Sequence, residues 1–234
     1  MQTTLYTIGH SSHPIAHFLS LLAQNHITLL ADVRAIPASR RHPQYNRDPL
    51  CRALQACGID YRFMGKQLGA KTANPAFLEN GHVSYPKIAA SPAFQTGLAH
   101  LVQTAQQQRT AIMCAEKEPL NCHRTHLIAR QLQATSVTLI HILENGAHEN
   151  HEHTLARLLK LTRTPDTDLY LSRDDLINQA TAKWANRKTN PAKTPDATPP
   201  PPKQSQQKPA TALIQHKTPP PRLRYPTQTR QAKT

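Results

Sequence analysis

Five short apolar runs, each followed by a turn and helical spacing, constrain this chain more than any other feature. Thr4-Leu5-Tyr6-Thr7-Ile8 stops at Gly9, and Pro14 then opens a helix with Ile15, Phe18, Leu19 and Leu22 on one face. Thr28 to Val33 is apolar almost throughout, as a strand covered on both faces should be. Leu50, Leu54 and Cys57 share a helix face that Gly58 ends, and Ile59 to Phe63 alternates as a third strand. Residues 64–91 read as a long irregular crossover. A helix over 93–107, a strand over 110–114, a helix over 122–133 capped by Asn121, and a strand over 137–142 follow. Helices are expected over about 151–162 and 173–187. Strands that alternate with helices predict an α/β fold, with a mostly parallel five-stranded sheet flanked by helices.

Charge divides the chain into two parts. Residues 1–182 carry 17 basic and 13 acidic side chains, whereas 183–234 carry 11 basic and one acidic. The formal charge of +14 therefore belongs mostly to the end of the chain. Eleven of the 20 prolines follow Trp184, and every glycine lies at or before Gly146. Such a segment buries too little apolar surface to offset its ordering entropy. A domain over 1–187 and a disordered, basic, Pro-rich tail over 188–234 are expected, the tail either attaching weakly and electrostatically to nucleic acid or serving only to solubilise. No apolar run approaches the roughly 20 residues of a membrane span, so no membrane partner is expected. Met1-Gln2-Thr3-Thr4 does not resemble a signal peptide, and four cysteines make no disulfide scaffold, so the expected compartment is the cytoplasm.

In parallel α/β sheets ligands sit outside the carboxyl ends of the strands. His10 and Ser11 follow the first strand, Asp32 and Arg34 end the second, and Cys114, Glu116, Cys122, His123 and Arg124 follow the fourth. Asp32 and Glu116 are candidate acids or bases, with Cys122 and His123 as further catalytic candidates. Arg34 and Arg124, with His10 and the Ser11 turn, are candidates to clamp a phosphorylated small molecule or nucleotide. Cys122, at a helix start and two residues before Arg124, is expected to ionise more easily than Cys51 or Cys57, which read as core; whether it forms a redox pair with Cys114, or Cys114 is a small core residue and Cys122 an inert helix cap, stays open at this point. Six residues beyond each of Cys114 and Cys122 stand Leu120 and Ile128, so no cysteine-phosphatase loop is present. Cys114 and Cys122 stand eight residues apart, wider than the two to four of a structural zinc pair. His10, Asp32, Cys122 and His123 form a metal site only if the fold brings them together, and His148 to His153 read as a polar loop opening a helix. No metal and no cofactor are expected. Alternatives to an enzyme acting on a phosphorylated ligand or nucleic-acid end are a non-enzymatic nucleic-acid module and a thiol redox protein.

The motifs Thr7-Ile8-Gly9-His10-Ser11, Asp32-Val33-Arg34 with Pro37 and Ser39, Tyr61 to Gly69, Met113-Cys114-Ala115-Glu116 and Cys122-His123-Arg124 resemble the DUF488 family, a bacterial and archaeal domain of unknown function. The resemblance extends over about 1–187 and implies the same α/β fold with a shared site at the strand ends. It implies no established reaction.

Overall fold

A computed structural model describes residues 3–133 and 135–189, without the side chains of 188 and 189. The tail expected over 188–234 lies outside the described residues, apart from the last two backbone positions of a helix.

The β-rich runs form the strands β1 (Thr3–Gly9), β2 (Leu29–Asp32), β3 (Asp60–Phe63), β6 (Thr110–Cys114) and β7 (Val137–Ile142). All five are parallel, in the order β3-β2-β6-β1-β7. The sixth strand, β8 (His148–Asn150), pairs antiparallel with β7 where the sequence predicts a polar loop. Residues 64–91 are less irregular than expected: they contain α3 (Gly65–Leu68), a two-stranded hairpin of β4 (Leu78–Glu79) and β5 (His82–Val83), and α4 (Tyr85–Ala89).

Each sheet face buries its own set of side chains. Tyr6, Ile8, Leu30, Ala111 and Met113 pack against α1 (Ile15–Gln24) and α2 (Arg47–Gln55), through Phe18, Leu22, Leu50 and Leu54. Leu5, Leu29, Ala31 and Ile112 pack on the other face against α4 and α5 (Pro92–Gln107), through Ile88, Phe94, Leu98 and Leu101. Alternation along each strand decides which residue serves which face. A third cluster joins α7 (His151–Thr162) to α8 (Arg173–Thr189) through Leu155, Leu158, Leu159, Leu176 and Ile177, over Leu120. No described helix is long and apolar enough to cross a membrane.

The segment after β6 departs most from expectation. Asn121 does not cap a helix over 122–133. It ends a short 3₁₀ turn, Pro119–Asn121, and its side-chain oxygen accepts from Trp184 Nε1 at 3.2 Å. The helix proper begins with a wide π-helical stretch, Arg124–Ala129, and closes as α6 (Arg130–Leu132). Wide turns of this kind are rare and are enriched at functional sites.

A buried polar chain crosses from sheet to helix. Thr7 Oγ1 lies 2.7 Å from His141 Nδ1, and His141 Nε2 lies 3.0 Å from His151 Nδ1. All three residues are buried, and His151 Nε2 has no hydrogen-bond partner. Burial holds His141 well below the usual imidazole range and lowers His151 to about 4.

Candidate functional site

Two clusters meet at the carboxyl edge of β2, β6 and β1. In the first, the carboxylate of Asp32 accepts from Arg34 at both oxygens, with Nε to Oδ1 at 2.9 Å and Nη2 to Oδ2 at 2.6 Å. The Arg34 backbone N–H adds 3.1 Å to Oδ1, and Tyr61 O–H donates to Oδ2 at 2.8 Å. Arg34 Nη2 also donates to the Tyr45 carbonyl, and Nη1 faces His10 Nε2 at 3.3 Å. The ring of His10 stacks on Tyr45 with centroids 4.2 Å apart, and its Nδ1 donates to the Ser11 carbonyl. Burial lowers His10 to about 4, so the ring is neutral and Nε2 is an acceptor for Arg34.

The second cluster is built from sulfur. Cys114 ends β6, and Cys122 and His123 precede the π-helical stretch. His123 Nε2 donates to the Val33 carbonyl at 3.1 Å, which turns Nδ1 toward both thiols. Cys114 Sγ stands 3.5 Å and Cys122 Sγ 3.8 Å from that nitrogen. All three side chains are nearly closed off: 6% exposed for Cys114, 2% for Cys122 and 9% for His123. The Cys122 thiol, His123 and the Glu116 backbone N–H together pull Cys114 down. Tyr85 stands beside the pair, its hydroxyl pushed up to about 12 by burial and by the two sulfurs.

Several expectations are corrected. Cys122 is not the readily ionised thiol: burial and the hydrogen bond it gives Cys114 raise it well above its usual value, against the smaller pull of Arg124. Cys114 is the favoured thiolate. Cys57 is exposed beyond the end of α2, not core, and Cys51 is half-buried. Arg124 is engaged by the main chain. It is fully buried and donates to the carbonyl oxygens of Glu116 at 2.6 Å and Lys117 at 2.8 Å. The Ser11 N–H is taken by the Ala115 carbonyl at 2.9 Å, and the Cys122 N–H by Pro119. Glu116 is exposed, and its carbonyl is what Arg124 holds. Asp32 is no neighbour of the sulfurs in a metal-like group; among the described residues that group is Cys114, Cys122 and His123.

The clusters share scaffolding. His10 N–H donates to the Cys114 carbonyl at 2.9 Å, and Val33, whose carbonyl fixes His123, sits between Asp32 and Arg34. Gly9 admits the loop after β6, because a Cβ there would lie 1.9 Å from the Glu116 carbonyl oxygen. Gly65 does the same on the other side, where a Cβ would lie 1.9 Å from the Arg34 carbonyl oxygen. Tyr61 opens one of the motifs that carry the family resemblance, whereas Tyr85 was missed as a site neighbour, and no spacing signals it. Sequence reasoning also missed the pairing of Cys114 with His123, whose only signal is the nine-residue return from a strand end to a helix start.

No curated protein and no solved structure matches the chain. The family model described as Domain of unknown function DUF488 matches residues 14–132, just over half of the chain, and the protein belongs to that family.

Proposed function

We propose that this protein carries out thiol–disulfide chemistry, with Cys114 as nucleophile, His123 as its base and Cys122 as the second thiol. The observation that carries the proposal is the convergence of both sulfurs on His123 Nδ1, at 3.5 and 3.8 Å, with the ring fixed by Val33. A nucleophile, a base and a group that orients the base are the parts that activate a thiol. The proton of Cys114 passes to His123 Nδ1, and the thiolate attacks one sulfur of a small disulfide. The S–S bond breaks, and the departing thiolate takes the proton from His123. Cys122 then gives its proton to the same nitrogen and attacks Cys114 Sγ, expelling the second small thiolate, which is protonated in turn. Two protein thiols are oxidised to a disulfide, and one external disulfide is reduced to two thiols. In a reducing compartment such as the cytoplasm the pair rests as thiols.

This reading is preferred to a phosphate clamp because both arginines already have protein partners, Arg34 in Asp32 and Arg124 in two carbonyls.

The test is incubation of the reduced protein with a small symmetric disulfide, followed by peptide mapping. The expected product is two hydrogens lighter, with Cys114 linked to Cys122. Cys122→Ser should stop at the mixed disulfide on Cys114, and His123→Gln should slow its formation by roughly 100-fold. Adducts confined to the exposed Cys57 would overturn the proposal.

A further inference from the structure

We propose that the reduced protein binds one thiophilic divalent cation of the zinc class between Cys114 Sγ, Cys122 Sγ and His123 Nδ1, leaving a fourth coordination position for water or a small ligand. The inference rests on the thiol reading, because a metal needs the same two sulfurs reduced and within reach of each other.

Distance supports it first. With metal–sulfur bonds of about 2.3 Å and metal–nitrogen bonds of about 2.0–2.1 Å, a tetrahedral centre sets sulfur about 3.6 Å from nitrogen. The observed separations are 3.5 and 3.8 Å, and all three ligand atoms lie within 4.8 Å of one another. Orientation supports it second. The Nε2–H of His123 is anchored on the Val33 carbonyl, the outer contact that fixes a ligating imidazole with its other nitrogen bare. Both sulfurs also receive backbone N–H groups, from Glu116 to Cys114 and from Arg124 to Cys122 at 3.5 Å. Such donors stabilise negative charge on sulfur. Charge balance is the third support: two thiolates, one neutral imidazole and a divalent cation sum to zero, which suits so buried a place. Among the described residues no fourth His, Cys, Asp or Glu joins the group. Three protein ligands with an open position is the arrangement of catalytic rather than structural zinc.

Metal and disulfide exclude each other here, since both use the same sulfur electron pairs. A bound cation would hold the dithiol in reserve until an oxidant or a chelator removed it.

The full-length reduced protein is titrated with cobalt(II), a coloured substitute for zinc, and then with zinc alone. One equivalent of cobalt should give a thiolate charge-transfer band in the near ultraviolet, which zinc abolishes. In the wild-type protein, zinc should slow alkylation of Cys114 and Cys122 by about 10-fold or more, while Cys57 is unaffected. This mapping needs no variant to fold. Cys122→Ser should weaken cobalt binding by about 100-fold, with an unchanged circular dichroism spectrum, and Cys57→Ser should leave it unchanged. Absence of the band, or zinc uptake that does not protect both cysteines, overturns the site. Disulfide exchange without metal uptake overturns the metal site and leaves the thiol reading standing. Metal uptake at these ligands without exchange overturns the thiol reading alone.

Discussion

Both oxygens of Asp32 are occupied before any ligand arrives, by three N–H groups of Arg34 and the hydroxyl of Tyr61. The pair is buried, at 0% exposure for Asp32 and 6% for Arg34. A buried ion pair adds little net stability, but removing one partner leaves an uncompensated charge. Asp32→Asn should therefore destabilise the fold by about 3–5 kcal/mol, measured by denaturant unfolding. A loss below about 1 kcal/mol would mean that Arg34 reaches water in the variant. Tyr61→Phe removes one hydrogen bond to the same oxygen and should cost only about 1–2 kcal/mol. The sequence places Asp32 and Arg34 together at the end of an apolar strand, but their types alone point to an acid and a ligand clamp, and it is burial that turns them into a pair. Arg124 was not legible. Its partners are main-chain carbonyls of a loop, and a carbonyl leaves no mark on the sequence that names the side chain it will meet.

The loop between β6 and the π-helical stretch carries the sulfur cluster, and its position depends on how closely it approaches β1. Gly9 is the point of approach, with the Glu116 carbonyl and Arg124 Nη1 in the space a Cβ would fill. Backbone cannot swing aside as a side-chain tip can. Gly9→Ala should displace the loop and cost about 1–3 kcal/mol, with slower disulfide exchange at Cys114 than at the exposed Cys57. An alanine variant with wild-type stability and exchange would mean that the loop has slack. At this scale the apolar strands and the long helices were readable, since period and burial agree in them. The strand β8 was not, because His148, Glu149 and Asn150 show no apolar alternation, and the edge position that makes them a strand is supplied by β7. The expected start of a helix at Cys122 failed for a related reason. Asn121 looks like a cap by type, but tertiary packing gives its side chain to Trp184 and opens the following turn.

Across the whole molecule, three buried histidines link stability to pH. His10 and His151 are each lowered to about 4, and His141 is held well below the usual range, in all three cases by burial first. Around His151 the charged and titratable neighbours are Glu152, His126, Arg130 and Glu149, and around His141 they are His151, Arg124 and Arg157. A folded-state pKa below the unfolded value of about 6.5 means that the unfolded chain binds more protons between about pH 4 and 6.5. Stability is then complete above about pH 6.5 and falls as the pH drops, by about 2 kcal/mol per histidine at pH 5 for the two lowered to about 4. Thermal melting between pH 5 and 8 should show a lower Tm on the acid side, and His151→Gln should flatten that slope. An unchanged slope in the variant would place the acid sensitivity elsewhere. The same chain of groups has a direction. Each neutral imidazole carries one N–H, so the bonds Thr7–His141 and His141–His151 must be donated in the same sense. One sense ends in a buried N–H with no acceptor at His151 Nε2, and the other ends in a bare lone pair there, which is the smaller loss. A buried nitrogen at the start of α7, without a hydrogen-bond partner, thus selects the tautomers of two rings and polarises a line of protons running inward to the central strand, without moving a heavy atom.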